Sequence, residues 1–165
     1  MEQRPFYDFA VEGPVQAEIF VLHLGGGAIR LAGPCGPEAW YVELGPDDDP
    51  LDTAARMIRS NVGEPIVVHS TSWRRTRDAV VLSFVAVVDA DLVRSFEAVD
   101  VGRSDLARNA AAAAPDAIET AQVLEHGLRH LAWLVQDDPV VADELPSPWR
   151  NVLSGYVPEP FRHLR

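Results

Sequence analysis

"LDTAARMIRSNVGEP", residues 51–65, decides how the rest of the chain is read. Leu51, Ala54, Ala55, Ile58 and Val62 recur at helical spacing on one face, which predicts an amphipathic helix over about residues 50–62. Pro50 suits the first helical turn, where a missing N–H costs nothing, and Gly63 suits the position just past the end. Strand signals lie on both sides. "AWYVEL" (39–44) precedes the helix and is closed by Gly45-Pro46 and the aspartates 47–49, and "PIVVHSTSW" (65–73) follows it.

Working outward, "AEIFVLHL" (17–24) reads as a strand, Gly25-Gly26-Gly27 as a tight turn, and "AIRLAG" (28–33) as its return. "GPCGPE" (33–38) is a loop by its Gly and Pro content. "AVVLSFVAVV" (79–88) is apolar at nearly every position, the pattern of a central strand buried on both faces. Between it and the preceding strand, "WRRTRD" (73–78) is either a solvated hairpin turn or an anion-recognising loop.

Beyond residue 90 the texture changes. "SDLARNAAAAAPD" (104–116) is either a short helix or a loosely ordered connection. A long helix over about 116–135 then carries Ala117, Ala121, Leu124, Leu128, Leu131 and Val135 on one stripe. Asp138-Pro139 and Ser147-Pro148 each pair an N-cap residue with proline at the first helical position, so two short helices are expected. His126 and His130 have the four-residue spacing of metal ligands. With Arg129 between them and no third ligand near, they read as a solvated or interface face. Trp133, nearly opposite the leucine stripe, calls for a cover, either the C-terminal segment or a second subunit.

Length and composition set the outer bounds. At 165 residues and 47% hydrophobic content the chain suits one compact domain, with a core over about 15–135 and a helical C-terminal extension over about 136–165. No run of 18 apolar residues appears, and the polar, acidic N-terminus does not read as a signal peptide. The lone Cys35 cannot form an internal disulfide, which fits a reducing cytoplasm. Net charge is −11, from 25 acids and 14 bases, so neither a nucleic acid nor an anionic membrane is the expected partner.

A strand bearing Trp40, a Gly/acidic loop, a helix ending Arg-x-aliphatic-x-x-x-x-Gly and a further strand together resemble the Nudix superfamily. That family's box runs Gly, five residues, Glu, seven residues, Arg-Glu-aliphatic-x-Glu-Glu-x-Gly-aliphatic. Laid on this chain, Arg56 matches the box arginine, Ile58 the aliphatic position, Gly63 the terminal glycine and Asp48 the first glutamate. Val42 stands at the first glycine, although Gly45 nearby can serve the turn. The resemblance implies an α/β fold, a Nudix-like α/β/α sandwich with a mixed β-sheet.

The departures bear on function. The family's three helix glutamates share one face and hold Mg²⁺ or Mn²⁺ against a substrate diphosphate. Here those positions are Met57, Ser60 and Asn61, a thioether and two neutral groups that cannot supply the charge a hard cation needs. The expectation is therefore a domain without cofactor or diphosphate hydrolysis, which binds a small ligand, nucleotide-like compounds among the candidates, or a protein partner, with a homodimer left open. Arg56, His69, Trp73 and Arg74 are the candidate ligand-binding residues: arginines for an anion, His and Trp for a planar group. The alternative is a hydrolase of nucleoside-diphosphate-linked compounds with Mg or Mn on a relocated acidic site at Glu43, Asp47 and Asp48. Arg56 either meets a ligand or pairs with one of those acids.

Overall fold

A computed structural model describes residues 13–106 and 118–159; the alanine-rich stretch from 107 onward lies outside them. Six strands, β1 (Val15–Gly25), β2 (Ala28–Ala32), β3 (Trp40–Leu44), β4 (Val67–Arg75), β5 (Val80–Val87) and β6 (Ala98–Asp100), form one mixed sheet. The order is β4-β5-β1-β2-β6, with β3 also on β1. Four helices accompany it: α1 (Pro50–Asn61), α2 (Thr120–Asp137), α3 (Pro139–Glu144) and α4 (Ser147–Leu153).

β1 organises the sheet. One edge pairs parallel with β5 from Val15 to Leu22, while the other is shared end to end by β3, along Val15–Ile19, and β2, along Val21–Gly25. The β1–β2 link is a two-residue turn whose Gly26 and Gly27 both have positive φ, at 61° and 81°. That conformation matches the twist of the flanking strands and is open to glycine without steric cost.

The period-2 alternation of β1 divides the core. Ala17, Ile19 and Val21 join Phe84, Ala86, Ala54 and Ile58 on the α1 side. Phe20 and Leu22 join Val85, Val87, Leu124, Leu128 and Leu131 on the α2 side. β5 is buried on both faces, as a run apolar at every position but Ser83 requires.

α1 is held as its sequence specifies. Asp49 is the N-cap and accepts from Asp52 N at 2.9 Å, and Pro50 opens the first turn. Gly63, at φ 136°, lets its own N–H return to Ile58 O at 3.0 Å. Leu51, expected on the buried face, is 46% exposed.

α2 starts at Thr120, later than expected, behind a capping box of Glu119 and Gln122. Asp138 caps α3 by accepting from Val140 N and Val141 N, whereas α4 begins on Pro146 with no side-chain cap from Ser147. Leu145, Trp149, Leu153 and Tyr156 are buried in the α2-side core, so the C-terminal helices cover α2 within the chain itself. The 3-10 turn at Ala90–Val93 and the short β6 carry no clear sequence signal.

Candidate functional site

β4 holds three of the four candidate ligand residues, and its geometry separates them. A bulge between Ser70 and Ser72 inserts Thr71 as an extra residue opposite β5. Val67 and His69 therefore face α2, and beyond the bulge the parity flips. Arg74 pairs across from Val81 on the α2 side, while Trp73 pairs across from Leu82, which packs with the α1-side core. In an unbulged strand His69 and Trp73 would share a face. Here the sheet stands between them.

Each residue has its own setting. Arg74 forms a two-pronged ion pair with Glu18, its Nη2 reaching Oε2 at 2.7 Å while Nη1 meets Oε1 and donates to Ser83 Oγ at 3.1 Å. Glu18 is 1% exposed in the middle of an apolar strand, and Ser83 Oγ donates to it at 2.6 Å. A buried carboxylate needs such neutralisation, so Arg74 holds the fold together and is not left for an anion. The neighbouring Tyr41 has its hydroxyl pKa raised, first by burial and then by the Glu18 charge.

His69 joins a histidine cluster beneath α2. Its Nε2 lies 3.1 Å from His130 Nδ1, and His130 stacks on Trp133 with ring centroids 5.7 Å apart. His126 Nε2 donates to Thr71 O at 3.2 Å. Gly127 makes this approach feasible: a Cβ there would stand 3.1 Å from Val85 and 3.3 Å from Thr71. The expected solvated histidine face is thus corrected. His130 is 2% exposed because α2 lies between the sheet and the C-terminal helices. Burial, then the neighbouring His69 and His126, lower its pKa to about 4. Burial also lowers that of His69, against a smaller opposing pull from Asp138.

On the α1 side, Arg56 is exposed and donates to Thr53 Oγ1 at 2.9 Å; among the described residues it pairs with none of the nearby acids. Trp73 is 70% exposed. Met57 packs into the core, and Asn61 Nδ2 donates back to Met57 O at 2.8 Å, which leaves neither poised for a cation. Asp48 Oδ2 accepts from Gly45 N at 2.8 Å, so this acid shapes the turn just as Asp49 caps the helix. Among the described residues no three His, Cys, Asp or Glu side chains converge as a cation site, Glu43, Asp47 and Asp48 included. The donor set does not fit the family's metal.

A second buried carboxylate escaped the sequence reading. Glu125 on α2 is fully buried, bound by Arg103 at 2.9 and 3.0 Å, by Arg129 at 2.8 Å and by Ser104 N at 3.3 Å. Burial pushes its pKa up, but the two arginines and the amide together outweigh that and leave it lowered. Arg103 also lies over the Tyr156 ring at 4.0 Å and donates to Gly155 O, fastening the C-terminal segment. An acid inside a run of apolar residues, as at Glu18, was the available signal for such pairs.

A mixed sheet between helices, with α1 on one face and α2 to α4 on the other, is a Nudix-like α/β fold. Among solved structures, the chain resembles Shewanella oneidensis NrtR complexed with a 27mer DNA, at 10% identity over 90% of this chain and 78% of that one, with a TM-score of 0.52. The solution structure of the E. coli ORF135 protein overlaps more loosely, at 17% identity over 52% of this chain and 64% of that one, with a TM-score of 0.30. No family model and no curated protein matches the chain. No helix among the described residues is long and apolar enough to cross a membrane.

Proposed function

We propose that this chain is a Nudix-like domain that has lost metal-dependent diphosphate hydrolysis and serves as a binding domain for a small ligand or a protein partner. The observation that carries this reading is the helix face of α1. Where the resemblance calls for three carboxylates it presents a core-packed Met57, an exposed Ser60 and an Asn61 whose amide donates to the Met57 carbonyl. Of the four candidate contacts, Arg56 and Trp73 remain exposed on the α1 side, and that side is the binding surface in this reading.

The likeness to NrtR raises a DNA-binding reading, since that protein was solved with DNA. Fold likeness at 10% identity does not carry a ligand across, and a net charge of −11 opposes phosphate contact. The deciding experiment incubates the full chain with Mg²⁺ or Mn²⁺ and a panel of nucleoside-diphosphate-linked compounds, and separately titrates a labelled DNA duplex. The expected result is no turnover above the metal-only blank and no change in polarisation at moderate salt. Metal-dependent turnover that is lost in Asp48→Asn would restore the hydrolase reading.

A further inference from the structure

Every described arginine except Arg75 and Arg77 has a hydrogen-bond or ion-pair partner. These two sit beside Trp73, the most exposed large apolar side chain among the described residues, on the outer strand β4 and its turn into β5. In a chain of net charge −11, two uncompensated guanidiniums flanking a bare indole form a surface built for contact.

The complementary surface lies on the same molecule. Strand register places Arg75, Val80, Val15 and Leu44 in one row across the end of the sheet. Past Leu44 come Asp47, Asp48, Asp49 and Asp52, all exposed, with the exposed Leu51 among them. Asp47 and Asp52 use their carboxylates for no contact among the described residues. One end of the sheet thus carries an aromatic–basic edge on β4 and an apolar–acidic edge beyond β3, three strand spacings or about 14 Å apart.

We propose that this end of the sheet is an isologous interface that takes a second copy of the same chain. A twofold axis normal to the sheet, passing through its end between β5 and β1, sets the Trp73–Arg75–Arg77 edge of one copy against the Asp47–Leu51–Asp52 edge of the other, and makes the same contact twice. The second copy is the occupant because it presents opposite charge and an apolar residue to each edge it meets, whereas an acidic macromolecule at large would be repelled by most of this surface. The inference goes beyond the functional reading above and stands whether or not the domain hydrolyses diphosphates.

Sedimentation velocity on the full chain tests it, with Arg75→Glu/Arg77→Glu and Asp47→Arg/Asp52→Arg as two charge-reversed proteins. All four positions are exposed, and circular dichroism melts confirm that the variants fold. The wild type should dimerise, with a Kd weakened at least tenfold at about 0.5 M salt, where the Debye length falls below ~5 Å. Each reversed protein should be monomeric alone, and the two mixed in equal amounts should form a dimer, because both contacts are then complementary again. Trp73→Ser should weaken the wild-type dimer without touching any charge. A monomeric wild type at about 100 µM, a mixture that stays monomeric, or association that grows past the dimer would each overturn the proposal.

Discussion

Acidification should loosen this protein through His130, and the size of the effect follows from its setting. The imidazole is 2% exposed, lies 3.1 Å from His69 and faces His126 from its own helix, with Asp138 acting on the cluster through His69. Its pKa is lowered to about 4, against about 6.5 in an unfolded chain. Below pH 6.5 the unfolded chain therefore takes up a proton that the folded one refuses. The contribution of neutral His130 is complete above about pH 7, is lost progressively between about 6.5 and 4, and changes no further below that. The linkage relation puts the loss between pH 7.5 and pH 5 at about 2 kcal/mol, and the lowered His69 works in the same direction. Urea denaturation of the wild type and of His130→Gln at both pH values isolates the effect, since carboxylate contributions are common to both proteins. The wild type should lose about 2 kcal/mol more than the variant. Equal losses, or an NMR titration of the His130 ring with a midpoint at or above 6.5, would refute the reasoning.

Other consequences are open to measurement. Glu125→Ala leaves the buried Arg129 guanidinium with only the longer, more exposed Glu159 contact at 3.5 Å, and should cost about 3 kcal/mol in chemical denaturation; a loss under about 1 kcal/mol would show that solvent or Glu159 neutralises this network. Ending the chain after Asp138 removes Leu145, Trp149, Leu153 and Tyr156 from the core, each worth roughly 2–3 kcal/mol when buried. The shortened protein should be insoluble or lack a cooperative melt, and one that remains soluble and equally stable would show that the C-terminal helices are dispensable.

The fold was legible where local chemistry is strong. Pro50 and Gly63 bounded α1, the three glycines marked the β1–β2 turn, and Asp138-Pro139 announced α3. The candidate site was legible only in part. His69 and Trp73 are an even number of residues apart, so a regular strand would place them on one face, and the inserted Thr71 separates them. A bulge is a matter of pairing with another strand and leaves no mark in the strand's own composition. The histidines of α2 were misread for a related reason. One helix's apolar stripe indicates where it meets one neighbour, and α2 has neighbours on both sides.

β1 and β5 also shape how the chain reaches its native state. The β1–β2 and β4–β5 hairpins close over short turns and can form early. The parallel β1–β5 pairing joins residues some 65 positions apart, so it must wait on a large loss of chain entropy. Until it does, the apolar run of β5 is flanked on one edge only, by β4, and its other edge can be met by any nascent chain with a free strand. The strand that makes the finished sheet most secure is the one most exposed to misassembly before it is finished. The bulged and arginine-bearing β4 beside it guards only the outer flank.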